Sequence, residues 1–357
     1  MAPDEAVMAA WRAIALDPPR AGAPPTATGT IRAETEDFIV EERLGFEPDG
    51  GSAHRLLWIE KRNANTLFVA RELAARQGCT PADVGFAGMK DRRAVARQWF
   101  STPAPRDGTA LEGFAGDGFR VLSVHPHSRK LRRGALAGNR FRLRVRELTG
   151  DREALEARIA RAGSSGFPNY FGAQRFGQDG ANLGRVRQWL ADGRLPRARE
   201  GRGFLLSSAR SLGFNAVLAE RVRARNWDRL LRGEIVNLAG SKSVFPIDGP
   251  DALLERRCRD GDIGPTGPLC GEGGMQPAAD AGAVEVQTLV RLAPLPERLG
   301  NAGLRAERRA LVARPVGLQY RLSPGVLELQ FDLPRGAYAT SFLREIVNAA
   351  VPDVGAD

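Results

Sequence analysis

Among the carboxylates of this 357-residue chain, Asp91 sits in the setting best suited to chemistry. It follows the short apolar run Val84-Gly85-Phe86-Ala87-Gly88 and is flanked by Lys90, Arg92 and Arg93. A carboxylate at a strand end among cations stays ionised and available as a nucleophile or base. The same cluster is also what a solvated surface turn looks like, and spacing alone does not choose between the two. Other chemistries lack their residues. No Walker-type or dinucleotide-binding glycine pattern joins a strand to a helix, and Gly271-Glu272-Gly273-Gly274 fits neither. No nucleophile elbow with triad partners is present. Cys79, Cys258 and Cys270 are too scattered for a disulfide framework or zinc site, and His125 and His127 have no cysteine partner nearby. No metal and no cofactor is expected, which leaves carboxylates, arginines and aromatics.

A second cluster is the aromatic and glycine loop Gly166-Phe167-Pro168-Asn169-Tyr170-Phe171-Gly172. Asn169 reads as a turn residue after Pro168, or as an amide able to recognise a base edge. The elements that must hold these residues follow from periodicity. Asn65 or Thr66 caps a helix through Leu67, Val69, Ala70, Leu73 and Ala74 that Gly78 stops. Residues 139–146 alternate as a strand, with Phe141, Leu143 and Val145 on one face and Arg140, Arg142, Arg144 and Arg146 on the other. A helix starts at Asp151 and stops at Gly163. Strand character returns at Leu327–Phe331, before a Ser341-capped helix to Ala350. Residues 1–28 read as a loose Ala- and Pro-rich lead-in, and 258–283 as loop. Irregular interspersion of strands and helices makes the fold class α+β.

The chain carries 52 Lys+Arg against 42 Asp+Glu, a net charge of +10. Only Lys61, Lys90, Lys130 and Lys242 are lysines, so 48 of the basic residues are arginine. The preference for Arg is largely compositional, but the surplus suggests a polyanionic partner, with nucleic acid first. It concentrates at Arg129, Lys130, Arg132 and Arg133, in the Arg140–Arg146 ladder, and between Arg194 and Arg232. The composition excludes a disordered or collagenous chain, and no run of about 18 apolar residues suggests a membrane span. The opening Met1-Ala2-Pro3-Asp4-Glu5 lacks the features of an export signal. A cytoplasmic, reduced protein with no membrane association and no obligate protein partner is expected.

Gly88-Met89-Lys90-Asp91-Arg92 resembles the signature of the TruD family of tRNA pseudouridine synthases. Further blocks are similar to that family in its order: Glu36-Asp37-Phe38-Ile39-Val40-Glu41-Glu42, Asn63-Ala64-Asn65-Thr66-Leu67, Gly134-Ala135-Leu136-Ala137-Gly138-Asn139-Arg140-Phe141, Pro168-Asn169-Tyr170-Phe171-Gly172-Ala173-Gln174-Arg175 and Leu333-Pro334-Arg335-Gly336-Ala337-Tyr338-Ala339-Thr340-Ser341. The matches span about Thr30 to Val347. Tyr338 departs from the family's usual Phe, so its aromatic face is kept and a hydroxyl is added.

The resemblance implies a pseudouridine synthase fold, with a mixed, largely antiparallel central sheet flanked by helices. It implies a discontinuous catalytic domain, 1–190 and 315–357, interrupted by an α/β insertion domain, 191–314, with a basic cleft between them for tRNA. It implies isomerisation of uridine 13 in the tRNA D-arm, with Asp91 as the catalytic carboxylate. Phe38, Asn169, Phe171, Tyr338, Arg32 and Lys90 would bind the substrate. Arg129, Lys130, Arg132, Arg133, Arg140 and Arg142 are candidates for RNA contacts, although a solvated strand face also accounts for the ladder. The alternative is a tRNA-binding or folding chaperone on the same scaffold, without essential catalysis.

Overall fold

The computed structural model describes residues 3–104 and 110–352. The chain divides into two compact units. One comprises Thr26–Leu155, Pro315–Gly336 and Val347–Asp357, the other Met1–Pro25, Glu156–Arg314 and Ala337–Ile346. The expected insertion, 191–314, falls wholly within the second unit, which also takes in 1–25, 156–190 and 337–346.

The first unit is built on an eleven-stranded mixed sheet. Its main path runs Val316–Ser323, Val326–Pro334, Leu136–Thr149, Phe38–Leu44, Val95–Pro103, His54–Arg62, Phe119–His127, Ala115–Gly116. Two pairings are parallel, Phe38–Leu44 with Val95–Pro103 and Thr28–Ile31 with Asn348–Ala350, and the rest are antiparallel. The central strand Leu136–Thr149 keeps the period of two: Phe141, Leu143 and Val145 are buried, and Phe331 stacks on Phe141 with centroids 5.6 Å apart. Gly138 permits the close approach of the neighbouring strand, since a Cβ there would lie 2.4 Å from the Leu333 carbonyl oxygen. The helix Thr66–Gln77 is capped as its sequence implies. Asn65 Oδ1 accepts from Leu67 N at 2.8 Å, and Gly78 ends the helix in the left-handed conformation. Its buried side Val69, Ala70, Leu73 and Ala74 packs with Leu57 and Ile59.

The second unit is organised around the 25-residue helix Arg199–Arg223. The helices Pro3–Leu16, Ala181–Asp192, Ala279–Val290 and Leu295–Asn301 pack on it, as does the strand Ile263–Leu269 of an antiparallel four-stranded sheet. Among the described residues no helix is long and apolar enough to cross a membrane.

Four local expectations are corrected. Residues 3–16 form a helix rather than a loose lead-in, because Trp11 and Ala15, four apart, bury one side in the core of the second unit. The helix from Arg152 continues through Gly163 to Ser165, and Gly166, at φ +82°, is where it stops. Within the supposed loop 258–283, Ile263–Leu269 is a strand despite Pro265 and Pro268. Its two halves pair with different neighbours, Pro265 opposite Val236 and Pro268 opposite Arg308, so at either proline only one side of the strand is in a ladder. The last helix ends at Ile346, and Asn348–Ala350 then pairs in parallel with Thr28–Thr30.

Candidate active site

In the sheet unit, the Gly88–Asp91 segment lies between the two-residue strand Gly85–Phe86 and Val95–Pro103. Buried side chains fix its backbone. Gln98 Nε2 donates to the Gly88 carbonyl at 2.7 Å, and Thr66 Oγ1 accepts from Lys90 N at 3.2 Å. Lys61, with no exposed surface, donates through Nζ to three carbonyls: Ala64 at 2.9 Å, Lys90 at 3.4 Å and Asp91 at 2.8 Å. Burial pushes the Lys61 ammonium down to about 8, against the opposing pull of Asp91. The Asp91 carboxylate itself points to Arg32, whose Nη2 donates to Oδ2. Arg32 stands at φ +60°, and its guanidinium also covers the Phe38 ring at 4.1 Å. Asp91, Arg32 and Phe38 therefore form one contiguous group. Phe38 is only 3% exposed, edge-on to Phe141, so its ring is a core residue whose remaining face Arg32 closes.

Lys90 is placed differently from its expected substrate role. Its Nζ donates to Glu42 Oε1 at 2.7 Å and to Asn139 Oδ1 at 2.8 Å, and Glu42 is completely enclosed. This buried pair anchors the motif to two strands, which gives Asn139 of the Gly138-Asn139-Arg140-Phe141 block a structural task. The arginine ladder also has partners within the chain. Arg140 pairs with Asp332, Arg142 with Glu41, Arg144 with Glu328 and Arg146 with Asp37 and Glu34. Arg129 and Arg132 are exposed, Lys130 donates to the Ala82 carbonyl, and Arg133 lies 3.7 Å over the Phe86 ring.

In the second unit, the loop after Gly166 gathers the other expected residues. Its backbone is held at three successive positions. Asn169 N donates to the Leu311 carbonyl at 2.8 Å, Ser341 Oγ to the Tyr170 carbonyl at 3.2 Å, and the buried Asn215 amide bonds both N and O of Phe171. Arg309 fixes the Asn169 side chain, donating to Oδ1 at 2.7 Å, while Nδ2 donates to the Ala310 carbonyl at 2.9 Å. Those partners orient the amide, leaving one N–H and one oxygen lone pair for a ligand. Arg309 also lies 4.1 Å over Phe171, and burial lowers its guanidinium to about 10, still a cation at neutral pH. Tyr338 meets Phe171 edge to face at 6.1 Å, and its hydroxyl accepts from Arg175 Nη2 at 2.8 Å. A hollow of about 160 Å³ beside this loop is lined by Tyr170, Phe171 and Arg344 against Ala15 and Leu16. Asn169 and Tyr338 do not line it, so the hollow adjoins their grouping only through Phe171.

Sequence reasoning did not single out Lys61, Glu42, Asn139, Arg175, Asn215 or Arg309. Lys61 carried a signal: it falls in register with Leu57 and Ile59, on the buried side of its strand, where a lysine is expensive. Among the described residues no group of three or more His, Cys, Asp or Glu side chains is arranged to hold a metal ion.

The sequence profile of the family tRNA pseudouridine synthase D (TruD) matches residues 22–201 and 199–346. A tRNA pseudouridine synthase D of Nitrosococcus oceani is 45% identical over 333 residues, covering 91% of this chain and 92% of that protein. One from Methylococcus capsulatus is 44% identical over 336 residues, covering 93% and 94%. A crystal structure described as a tRNA pseudouridine synthase D from Methanosarcina mazei superposes with a TM-score of 0.67 over 93% of this chain and 96% of that one, at 21% identity. The fold is thus shared with that structure, and on the profile and its relatives the chain belongs to the tRNA pseudouridine synthase D family.

Proposed function

We propose that this protein isomerises uridine 13 in the D-arm of tRNA to pseudouridine, with Asp91 as the catalytic carboxylate. As a family member the protein is a tRNA pseudouridine synthase, an intramolecular isomerase, and a cytoplasmic location suits a tRNA substrate. The position in the tRNA rests on the resemblance of the motif blocks. The observation that carries the catalytic assignment is the setting of Asp91: a partly exposed carboxylate faces a guanidinium, while its backbone is tied down by a buried ammonium. Such a group faces a fixed cation and is held in one place before substrate arrives.

The reaction exchanges one bond for another. The N1–C1′ bond of uridine breaks, the uracil turns, and a C5–C1′ bond forms. The C5 proton leaves and N1 gains one, so no oxidant or group donor is required. Asp91 attacks the nucleotide at the sugar or the base, or removes a sugar proton, and each route leads through the same glycosidic cleavage. A uridine within folded tRNA has to leave its stack first, at a cost of a few kcal/mol. Stacking on an aromatic face such as that of Tyr338 offsets part of that cost, and the oriented Asn169 amide presents one donor and one acceptor to the uracil edge. Arg32 leaves or shifts from Phe38 as the nucleotide enters, and retains its charge near the Asp91 carboxylate.

Asp91→Asn keeps shape and hydrogen bonding but removes the charge. We expect a folded variant that binds tRNA and whose turnover falls by roughly 10³-fold or more. Pseudouridine mapping by carbodiimide labelling, in tRNA from cells with and without the protein, gives the position. Wild-type modification by folded Asp91→Asn would remove the catalytic reading and leave a tRNA-binding one.

A further inference from the structure

Arg175 is held at both ends by neutral partners. Ser208 Oγ lies 2.8 Å from its carbonyl oxygen, so its backbone is fixed apart from its side chain. Its Nη1 donates to Ser207 Oγ at 2.8 Å, and its Nη2 donates to the Tyr338 hydroxyl at 2.8 Å. Ser207 and Ser208 both belong to the long helix Arg199–Arg223. The guanidinium also stands 5.3 Å over the Phe171 ring, on which Arg309 lies at 4.1 Å. Among the described residues no carboxylate pairs with Arg175, so its charge is spent on two hydroxyls and a ring.

This arrangement decides what the Tyr338 hydroxyl can offer. A guanidinium only donates, so the phenol oxygen acts as an acceptor toward Arg175 and its own proton has to find another partner. Among the described residues none takes it, and Tyr338 is half-buried, so the proton is open to a ligand. On an ordinary surface tyrosine that proton goes to water. Here the oxygen is pinned by a cation that polarises the O–H bond, and the ring meets Phe171 within the grouping that also holds Asn169 through Arg309.

We infer that the Tyr338 hydroxyl, with Arg175 as its positioning residue, donates a hydrogen bond to a carbonyl oxygen of the target uracil and that this bond strengthens as the N1–C1′ bond breaks. The electron pair of the broken bond leaves with the uracil, so negative charge gathers on the ring and its carbonyl oxygens. A donor fixed in advance and polarised by a cation stabilises that charge more than it stabilises the neutral base. The hydroxyl keeps its own proton throughout. This role rests on the proposed uridine site at Asn169, Phe171 and Tyr338. A phosphate oxygen is the other acceptor such a donor suits, but a phosphate has the same charge before and during the reaction, so that contact acts on KM and Kd rather than on kcat.

The test uses the full chain and in vitro transcribed tRNA. Tyr338→Phe keeps the ring and removes the donor, so kcat is expected to fall by roughly ten- to hundredfold with KM and Kd within about twofold. Arg175→Met should lower kcat by roughly three- to tenfold, the scale of one neutral hydrogen bond. The double variant should be no slower than Tyr338→Phe alone within about twofold, because both changes act on one hydroxyl. The chain has only three tyrosines, Tyr170, Tyr320 and Tyr338, so uniform 3-fluorotyrosine labelling gives three fluorine signals, and the one missing in Tyr338→Phe belongs to Tyr338. Arg175→Met should shift that signal alone, and tRNA should shift it in the wild type. Wild-type kcat in Tyr338→Phe overturns the donor, as does a change confined to KM and Kd, which marks a phosphate contact. Multiplied losses in the double variant, or a shift shared with Tyr170, overturn the positioning role of Arg175. If the wild type forms no pseudouridine, the proposed function fails, and a Tyr338 signal that tRNA leaves unmoved still overturns the contact.

Discussion

Lys61 Nζ lies 2.8 Å from the backbone carbonyl oxygen of Asp91 and donates to it from a side chain with no exposed surface. The two residues are 30 positions apart, on a strand of the central sheet and in the Gly88–Asp91 loop. Together with the bonds to Ala64 and Lys90, all three ammonium protons have carbonyl acceptors. Lys61 thus sets where the Asp91 main chain sits, while Arg32 sets where its carboxylate points.

Lys61→Met fills the same space without the three donors. The loop then relaxes, and a displacement of about 1 Å at a reacting group is enough to lower turnover by roughly 10²-fold. Because Lys61 has no surface through which to touch RNA, KM should change little. Steady-state kinetics of the folded variant check this: a fall in kcat with KM near wild type supports positioning, and a selective rise in KM excludes it.

The depressed Lys61 pKa gives stability and activity opposite pH dependence. Folded, the ammonium releases its proton near pH 8; unfolded, it holds it to about 10.5. Between those values the unfolded state binds more protons, so this group makes the protein more stable as pH rises, by about 3 kcal/mol at most across the window. Over the same range the neutral amine turns a lone pair toward one of its three carbonyls, so the loop loosens and kcat falls above about pH 8. Asp91 and Lys90 are the charged groups acting on it. The check is the difference in unfolding free energy between wild type and Lys61→Met from pH 7 to 10.5. A flat difference, or a kcat profile with no alkaline limb near 8, contradicts the assignment.

Local chemistry was legible in the sequence where neighbours along the chain decide it. The Asn65 cap, the Gly78 stop and the alternation of Phe141, Leu143 and Val145 all depend on residues a few positions away. The ladder of arginines was visible as a ladder, but its carboxylates, from Glu41 at Arg142 to Asp332 at Arg140, lie 101 to 192 residues away in the chain, so its burden of ion pairs was not. The helix at Pro3–Leu16 was hidden because alanine-rich composition masks an apolar stripe. The partner of Asn169 was hidden for the same long-range reason: Asn169 could be picked from its loop, but Arg309, which orients it, comes 140 positions later from a strand edge.

Arg309 gives a prediction that separates orientation from charge. Arg309→Lys keeps a cation but cannot bond the Asn169 carbonyl and Oδ1 while lying flat on Phe171. The amide then loses the partner that fixes its oxygen. If the amide reads the uracil edge, kcat/KM should fall by roughly ten- to hundredfold, the scale of a charge-assisted hydrogen bond. Asn169→Ala in the Arg309→Lys background should then add much less than it does alone, since both changes remove one interaction. Independent, additive losses in that double-mutant cycle would show that Arg309 acts elsewhere.

Lys90 and Glu42 supply the last test, because it distinguishes an anchor from a substrate contact. Lys90 has 8% and Glu42 0% side-chain exposure, and the second Glu42 oxygen accepts from Trp99 N at 3.0 Å. Removing the cation alone, as in Lys90→Met, leaves a buried carboxylate without its counter-charge, a change that costs about 3–5 kcal/mol. The double variant Lys90→Met, Glu42→Gln removes the stranded charge and keeps an acceptor for Trp99, so it should recover a large part of that loss. Denaturant unfolding of the two variants measures both numbers. A Lys90→Met protein as stable as wild type but with a raised KM would make Lys90 an RNA contact. Strong destabilisation that the double variant relieves makes it the post on which the Asp91 loop is hung.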